Sequence, residues 1–139
     1  MNCIVLWQVL DELRHLEDFF TTQNKQARQP MVGLYEQAQA CTMVLPRLYL
    51  LNTVGACYIF SKEAPARDIL KDLLEMTKGV QHPMRGLFLR NYFSHVTRDK
   101  LPDAGSPYEG EGGMVDDSVE FVLENFVEAN KLWVRMHGQ

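Results

Sequence analysis

The chain has 139 residues, enough for one domain with a substantial core, and at 46% apolar and 23% charged it has an ordinary globular composition. Its net charge of −4 removes the electrostatic reason to expect nucleic acid as a partner. No apolar run approaches the ~20 residues of a membrane span, and the run Ile4-Val5-Leu6-Trp7 lacks a basic lead-in and a small-residue cleavage site, which argues against a signal peptide. A cytoplasmic protein that meets membranes through partners is the expectation. The spacing of apolar residues predicts six helices and no alternating strand. The first runs from about Cys3 to Phe20, with Val5, Val9, Leu13, Leu16 and Phe20 at helical spacing. A polar break covering Thr21 to Gln29, with Lys25 and Arg28, separates it from a short second helix. That helix runs from Pro30 or Met31 to about Val44, with Leu34, Tyr35, Ala38 and Cys41 on one side.

The third helix restarts at Pro46 and ends near Ser61. Proline suits a first turn because its missing N–H has no acceptor there. Between Leu48 and Ile59 the clearly polar side chains are Asn52 and Thr53, and a helix without a wide polar face belongs between neighbours. Arg47 stands out, because a cation in a first turn opposes the helix dipole by about 0.3–1 kcal/mol. An internal acid such as Glu36 or Asp18, or a partner, would compensate it. The fourth helix lies between Pro65 and Gly79, with Ile69, Leu70, Leu73, Leu74 and Met76/Thr77 as its apolar stripe and Arg67, Lys71, Asp72 and Glu75 on the wet side. The fifth starts at Pro83 and reaches about Asp99. Its expected inner face is Met84, Leu87, Phe88, Asn91/Tyr92 and His95/Val96, with Leu89 and Phe93 as a second edge. Arg85, Arg90, Arg98 and Lys100 read as a solvated basic group. Residues 101–113 form an acidic flexible loop whose two turn-forming runs have nothing to bury. The sixth helix runs from Val115 to Met136, capped by Asp116, Asp117 or Ser118, with Val119, Val122/Leu123, Phe126, Ala129/Asn130 and Trp133 as its stripe. Consecutive short-linked helices, several apolar on more than one side, point to an all-α fold of the α-solenoid kind, with HEAT-like stacked helix pairs.

Catalytic chemistry finds little footing. His15, His82, His95 and His137 form no metal-ligand spacing, and His95 reads as a core residue. Cys3, Cys41 and Cys57 are an odd set without C-x-x-C spacing and read as buried free thiols. Gly110-Glu111-Gly112-Gly113 lacks a preceding strand and a phosphate-loop lysine, and Asp116, Asp117 and Glu120 suit helix capping better than a metal. Gly55 and Gly86 inside helices imply close helix–helix approach. No cofactor and no metal are expected.

Four runs carry a resemblance to a known family. Leu45 to Leu51 (LPRLYLL), Arg67 to Met76 (RDILKDLLEM), Gly79 to Tyr92 (GVQHPMRGLFLRNY) and Asn130 to Met136 (NKLWVRM) resemble, in the same order, segments of the retromer large subunit, the vacuolar protein sorting-associated protein 35 family. The likeness extends from about Asp11 to the end; residues before Asp11 do not align. It implies that residues 1–139 are a single helical-repeat domain, the N-terminal part of a longer α-solenoid. It further implies a non-enzymatic scaffold on endosomes, serving retrograde transport of transmembrane cargo. The family's N-terminal end binds the arrestin-like subunit, vacuolar protein sorting-associated protein 26, and contributes to contacts with a sorting nexin, cargo tails and a late-endosomal Rab GTPase. The motif associated with arrestin-like binding falls here on Pro46, Arg47, Leu48, Tyr49, Leu50 and Leu51. The region that docks the phosphoesterase-like subunit is not covered. Outside the family, the competing expectation is a stand-alone helical regulatory or enzyme domain, which a deep polar pocket lined by several of Cys57, His82, Tyr92 and His95 would favour. A solenoid that continues past Met136 would leave apolar surface on the last helix, at residues such as Phe121, Val127 or Trp133, and self-association would follow.

Overall fold

A computed structural model describes residues 3–27 and 30–138, with side chains at residues 8–25 and 30–138. Six α-helices follow one another: α1 (Cys3–Ala27), α2 (Met31–Gln39), α3 (Val44–Ser61), α4 (Ala66–Thr77), α5 (Pro83–Thr97) and α6 (Val115–His137). One 3₁₀ turn, Arg98–Lys100, extends α5. The fold is all-α and has the packed-helix architecture of an α-solenoid.

The arrangement follows from α3. It packs against α1, α2, α4 and α5, which explains why its sequence is apolar all round. Leu48, Leu51, Val54, Cys57 and Ile59 enter one continuous core with Met31 and Tyr35 of α2, Ile69 and Leu73 of α4, and Leu89 and Phe93 of α5. Gly55 lets α4 come close: a Cβ there would sit 2.7 Å from Leu73 Cδ1. Gly86 does the same for α6, where a Cβ would meet Leu132 Cδ1 at 2.6 Å and the Val80 carbonyl at 3.2 Å. Both glycines therefore mark close helix approach, as their sequence context suggests. α6 packs against α4 and α5.

Several sequence-based expectations need correction. The polar break at Thr21 is absent, because α1 continues to Ala27. Arg28, Gln29 and the side chain of Val5 lie outside the described residues, as does the thiol of Cys3. α2 ends earlier, at Gln39, and α3 begins at Val44, two residues before Pro46. On α5 the buried side is Leu89, Tyr92, Phe93, Val96 and Thr97, so Tyr92 and Val96 of the expected inner face are buried together with the expected second edge. Met84, Asn91 and His95 point outward, and His95 is no core residue. Nor is the basic group on this helix uniformly solvated. Arg90 and Lys100 are buried, whereas Arg85 and Arg98 are exposed.

The correction on α6 is the largest. Ser118, Phe121, Asn125 and Leu132 are buried, while the predicted stripe faces solvent, with Leu123 57%, Phe126 62% and Trp133 52% exposed. Phe121, named as a surface residue for a solenoid that continues past Met136, instead packs edge-on against Phe93 with centroids 5.1 Å apart, whereas Val127 is exposed. Apolar periodicity identified the helix, but a helix apolar on two sides does not declare which side its neighbours take. Polar residues settle the choice here. Arg90 Nη1 donates to Asn125 Oδ1 at 3.0 Å, fixing α6 on α5. Lys78 of the α4 C-cap pairs with Glu124.

The 101–113 segment lies across one end of α4. Its two turn-forming runs are largely exposed, but Pro102 is buried and Leu101 and Tyr108 pack on the core. The Arg67 amide donates to the Gly112 carbonyl at 2.8 Å, and Ser118 Oγ donates to Asp103 Oδ1 at 2.6 Å. Asp117 Oδ2 accepts the Met114 amide at 2.8 Å and so caps α6.

Candidate docking surface

The residues singled out by resemblance occupy the first two turns of α3. Met43 is extended (φ −86°, ψ 119°), and its carbonyl accepts the Arg47 amide at 3.0 Å. Pro46 is the third helical residue, where no intrahelical acceptor is lost. From there the side chains divide by direction. Leu48 and Leu51 are buried in the core around which the helices stack. Tyr49 and Leu50 are half-buried against the same core. The Tyr49 ring packs against Tyr92 with centroids 5.4 Å apart, and burial pushes its hydroxyl above the ordinary 10.0. Behind it, Thr53 Oγ1 hydrogen-bonds the Tyr92 hydroxyl and the Tyr49 carbonyl, tying α3 to α5. Pro46 is exposed and Arg47 half-buried.

Arg47 meets neither Glu36 nor Asp18. Nη1 donates to the Cys41 carbonyl at 3.2 Å, so the side chain folds back over the α2–α3 connection. Among the described residues no carboxylate pairs with it. A guanidinium has five donors, and this bond engages one of its nitrogens. The cation that opposes the helix dipole is therefore offset internally by one carbonyl, not by a charge.

Met43 and Val44 complete the surface, being 66% and 51% exposed beside Pro46. Sequence reasoning missed them because it placed them at the tail of α2, whereas they are the N-cap and first residue of α3. The signal available was two large apolar residues directly before a proline-marked helix start. Together, Met43, Val44, Pro46 and the outer edge of Arg47 form an apolar ridge with one cation. Such a surface can seat a partner and direct one carboxylate or carbonyl group.

Residues considered for catalysis are not brought together. Cys57 is buried, with Thr21 Oγ1 donating to Sγ at 3.6 Å, and burial raises its thiol to about 11. His82 is exposed and caps α5, its Nδ1 accepting the Arg85 amide at 3.4 Å. His95 faces solvent and the Tyr92 hydroxyl is buried. Cys41 is a partly exposed thiol, not the buried one expected. An open cleft of about 390 Å³ between the α3–α4 turn and the 101–113 segment is lined by Lys62, Glu63, Tyr108 and Glu111, among others, and by none of Cys57, His82, Tyr92 and His95. Among the described residues, no three His, Cys, Asp or Glu side chains are grouped to hold a metal, and no helix is long and apolar enough to cross a membrane.

Comparison with known proteins decides the family. The family model described as vacuolar protein sorting-associated protein 35 matches residues 5–139. The chain belongs to this family. Vacuolar protein sorting-associated protein 35B of Arabidopsis thaliana is 57% identical over 132 residues, covering 95% of the chain. The Dictyostelium discoideum family member is 62% identical over 109 residues, 78% of the chain, and that of Schizosaccharomyces pombe 50% identical over 109 residues, 76% of the chain. The match spans 17%, 14% and 13% of those relatives respectively.

Proposed function

We propose that the chain is the N-terminal part of a retromer large-subunit solenoid, a non-enzymatic scaffold in endosomal protein sorting and retrograde transport. It docks the arrestin-like subunit, vacuolar protein sorting-associated protein 26, through the N-terminal end of α3. The family match is the foundation, since the relatives are named for vacuolar protein sorting. The observation that carries the docking claim is the exposed ridge of Met43, Val44 and Pro46 with a cation, Arg47, that no acid among the described residues neutralises. The roles within the motif then separate. Pro46 and Arg47 face the partner, Leu48 and Leu51 hold α3 in the stack, and Tyr49 and Leu50 connect the two. Sorting nexin, cargo tails and a late-endosomal Rab GTPase are further partners of the assembly, and the chain reaches the endosomal membrane from the cytoplasm through such partners.

A pulldown on the immobilised arrestin-like subunit of the same species tests the proposal. Capture of the folded chain is expected, with loss of capture for a Met43→Asp, Val44→Asp double variant whose helicity is unchanged. Failure of the folded wild-type chain to bind would overturn the docking claim.

A further inference from the structure

Two connections between consecutive helices, the α3–α4 turn and the 101–113 segment, wall the open cleft of about 390 Å³. Bonds within the chain fix both walls. On the first, Lys62 ends α3 in the left-handed conformation (φ 60°), and Glu63 accepts the Met31 amide at 2.7 Å. On the second, the Gly112 carbonyl accepts the Arg67 amide at 2.8 Å. Ser106 Oγ donates to the Leu101 carbonyl at 2.8 Å, and Glu109 accepts the Gly105 amide at 2.7 Å. Pro65 and Pro107 stiffen the two walls further. A cleft held this way exists before anything binds, which lowers the ordering cost of filling it.

Its chemistry selects the occupant. Ala64, Pro65, Pro107 and the half-buried Tyr108 ring supply apolar surface. The charged lining is Glu63, Glu109 and Glu111 with Lys62, three carboxylates to one ammonium, all four residues exposed. Among the described residues none of the four is in an ion pair. Glu63 and Glu109 accept hydrogen bonds from neutral amides, which leave their charge in place. Arg67 turns its guanidinium to Asp68 and Asp117 and does not line the cleft. An acidic rim repels phosphate, so a nucleotide, a nucleic acid or an anionic membrane does not suit it. The volume takes a few side chains, not a folded domain. An extended peptide with basic residues beside apolar ones matches each part. Its apolar side chains fill the space between the walls, and its cations meet the carboxylates and the face of Tyr108.

We propose that this cleft binds an extended peptide segment in which basic and apolar residues alternate. α3 has 18 residues, so about 27 Å of helix separates the cleft from the ridge at Met43 to Arg47. The binding does not rest on the arrestin-like subunit.

Fluorescence anisotropy of a capped, labelled hexapeptide of alternating arginine and leucine, titrated with the 139-residue chain, tests the proposal. Saturable binding is expected. A glutamate–leucine hexapeptide should not bind, and an arginine–serine one should bind about tenfold more weakly. Glu111→Lys should weaken binding about fivefold, with unchanged helicity because Glu111 is exposed. Lys62→Glu should tighten it. Glu12→Lys, an equal charge change on the exposed side of α1, should leave it as it is. Absence of saturable binding would overturn the proposal, as would equal affinity for the arginine–serine peptide. Equal weakening by Glu12→Lys and Glu111→Lys would place the contact on net charge alone and overturn the cleft. Shifts of the same sign for Glu111→Lys and Lys62→Glu would do the same. Displacement of the peptide by an equal concentration of spermidine would reduce the site to simple cation binding and overturn the peptide as occupant.

Discussion

Arg47 and Cys57 show how far single residues separate structural from functional duty. Arg47 makes one hydrogen bond to a carbonyl, so its removal should cost stability on the order of 1 kcal/mol or less. Cys57 is walled in between α1 and α3, and burial holds its thiol at about 11, well above neutrality. The thiolate is the reactive species. Residue-resolved alkylation of the folded chain at neutral pH should therefore modify the partly exposed Cys41 well before Cys57, and Cys57 should react only on unfolding. Comparable labelling of both in the native state would show that α1 does not cover this site. Gly55 offers a packing test. A Cβ would press on Leu73 Cδ1, and Leu73 is itself fully buried, so the helix-propensity gain of Gly55→Ala is offset by strain. Gly55→Val should destabilise by about 2 kcal/mol or more in chemical denaturation. A stabilised valine variant would mean that α3 and α4 are farther apart than this packing requires.

At the scale of elements, buried polar residues decide which faces meet. Lys100 lies at the end of the 3₁₀ turn with Nζ bonded to Glu17 of α1 at 2.9 Å, the Val96 carbonyl at 3.2 Å and Asp99 at 3.0 Å. Burial disfavours its charge, but the two carboxylates outweigh that and hold the ammonium above its ordinary 10.5. A raised folded-state value stabilises the protein fully below 10.5, and the contribution is lost as pH rises through the folded value. Lys100→Met should thus lower the melting temperature at neutral pH. The gap from wild type should stay constant up to about pH 10 and close above it. A gap that grew at high pH would contradict the ion pair. These couplings explain what was legible in the sequence and what was not. The helices of α4 and the burial of α3 were readable because their apolar patterns are one-sided or all-round. The inner face of α5 was read only in part and that of α6 was misread because both helices are apolar on two sides, and Arg90–Asn125, Lys78–Glu124 and Lys100–Glu17 join residues 35, 46 and 83 positions apart. Such pairings have no local signature. The helix start at Pro46 and the odd cation Arg47 were legible in the residues, the docking role of Pro46 to Leu51 came from resemblance alone, and Met43 and Val44 were lost to a helix boundary misplaced by two residues.

Taken as a whole, the helices stack around α3, and the start of that helix presents an exposed apolar surface with one cation. The proposed scaffold function rests on this surface, which is built from exposed residues outside the core. The leucines of the motif are the contrast. Leu48→Ala removes a core side chain and should cost about 2–5 kcal/mol, lowering binding only to the extent that it unfolds the chain. Calorimetric titration of the arrestin-like subunit with wild type, Arg47→Ala and Leu48→Ala, alongside their thermal melts, tests the docking claim most directly. The expected result is an affinity at least tenfold weaker for Arg47→Ala with a melting temperature close to wild type, and a low melting temperature with near-native affinity for Leu48→Ala below its melt. Undiminished affinity of a folded Arg47→Ala chain would contradict the assignment of this ridge as the docking surface.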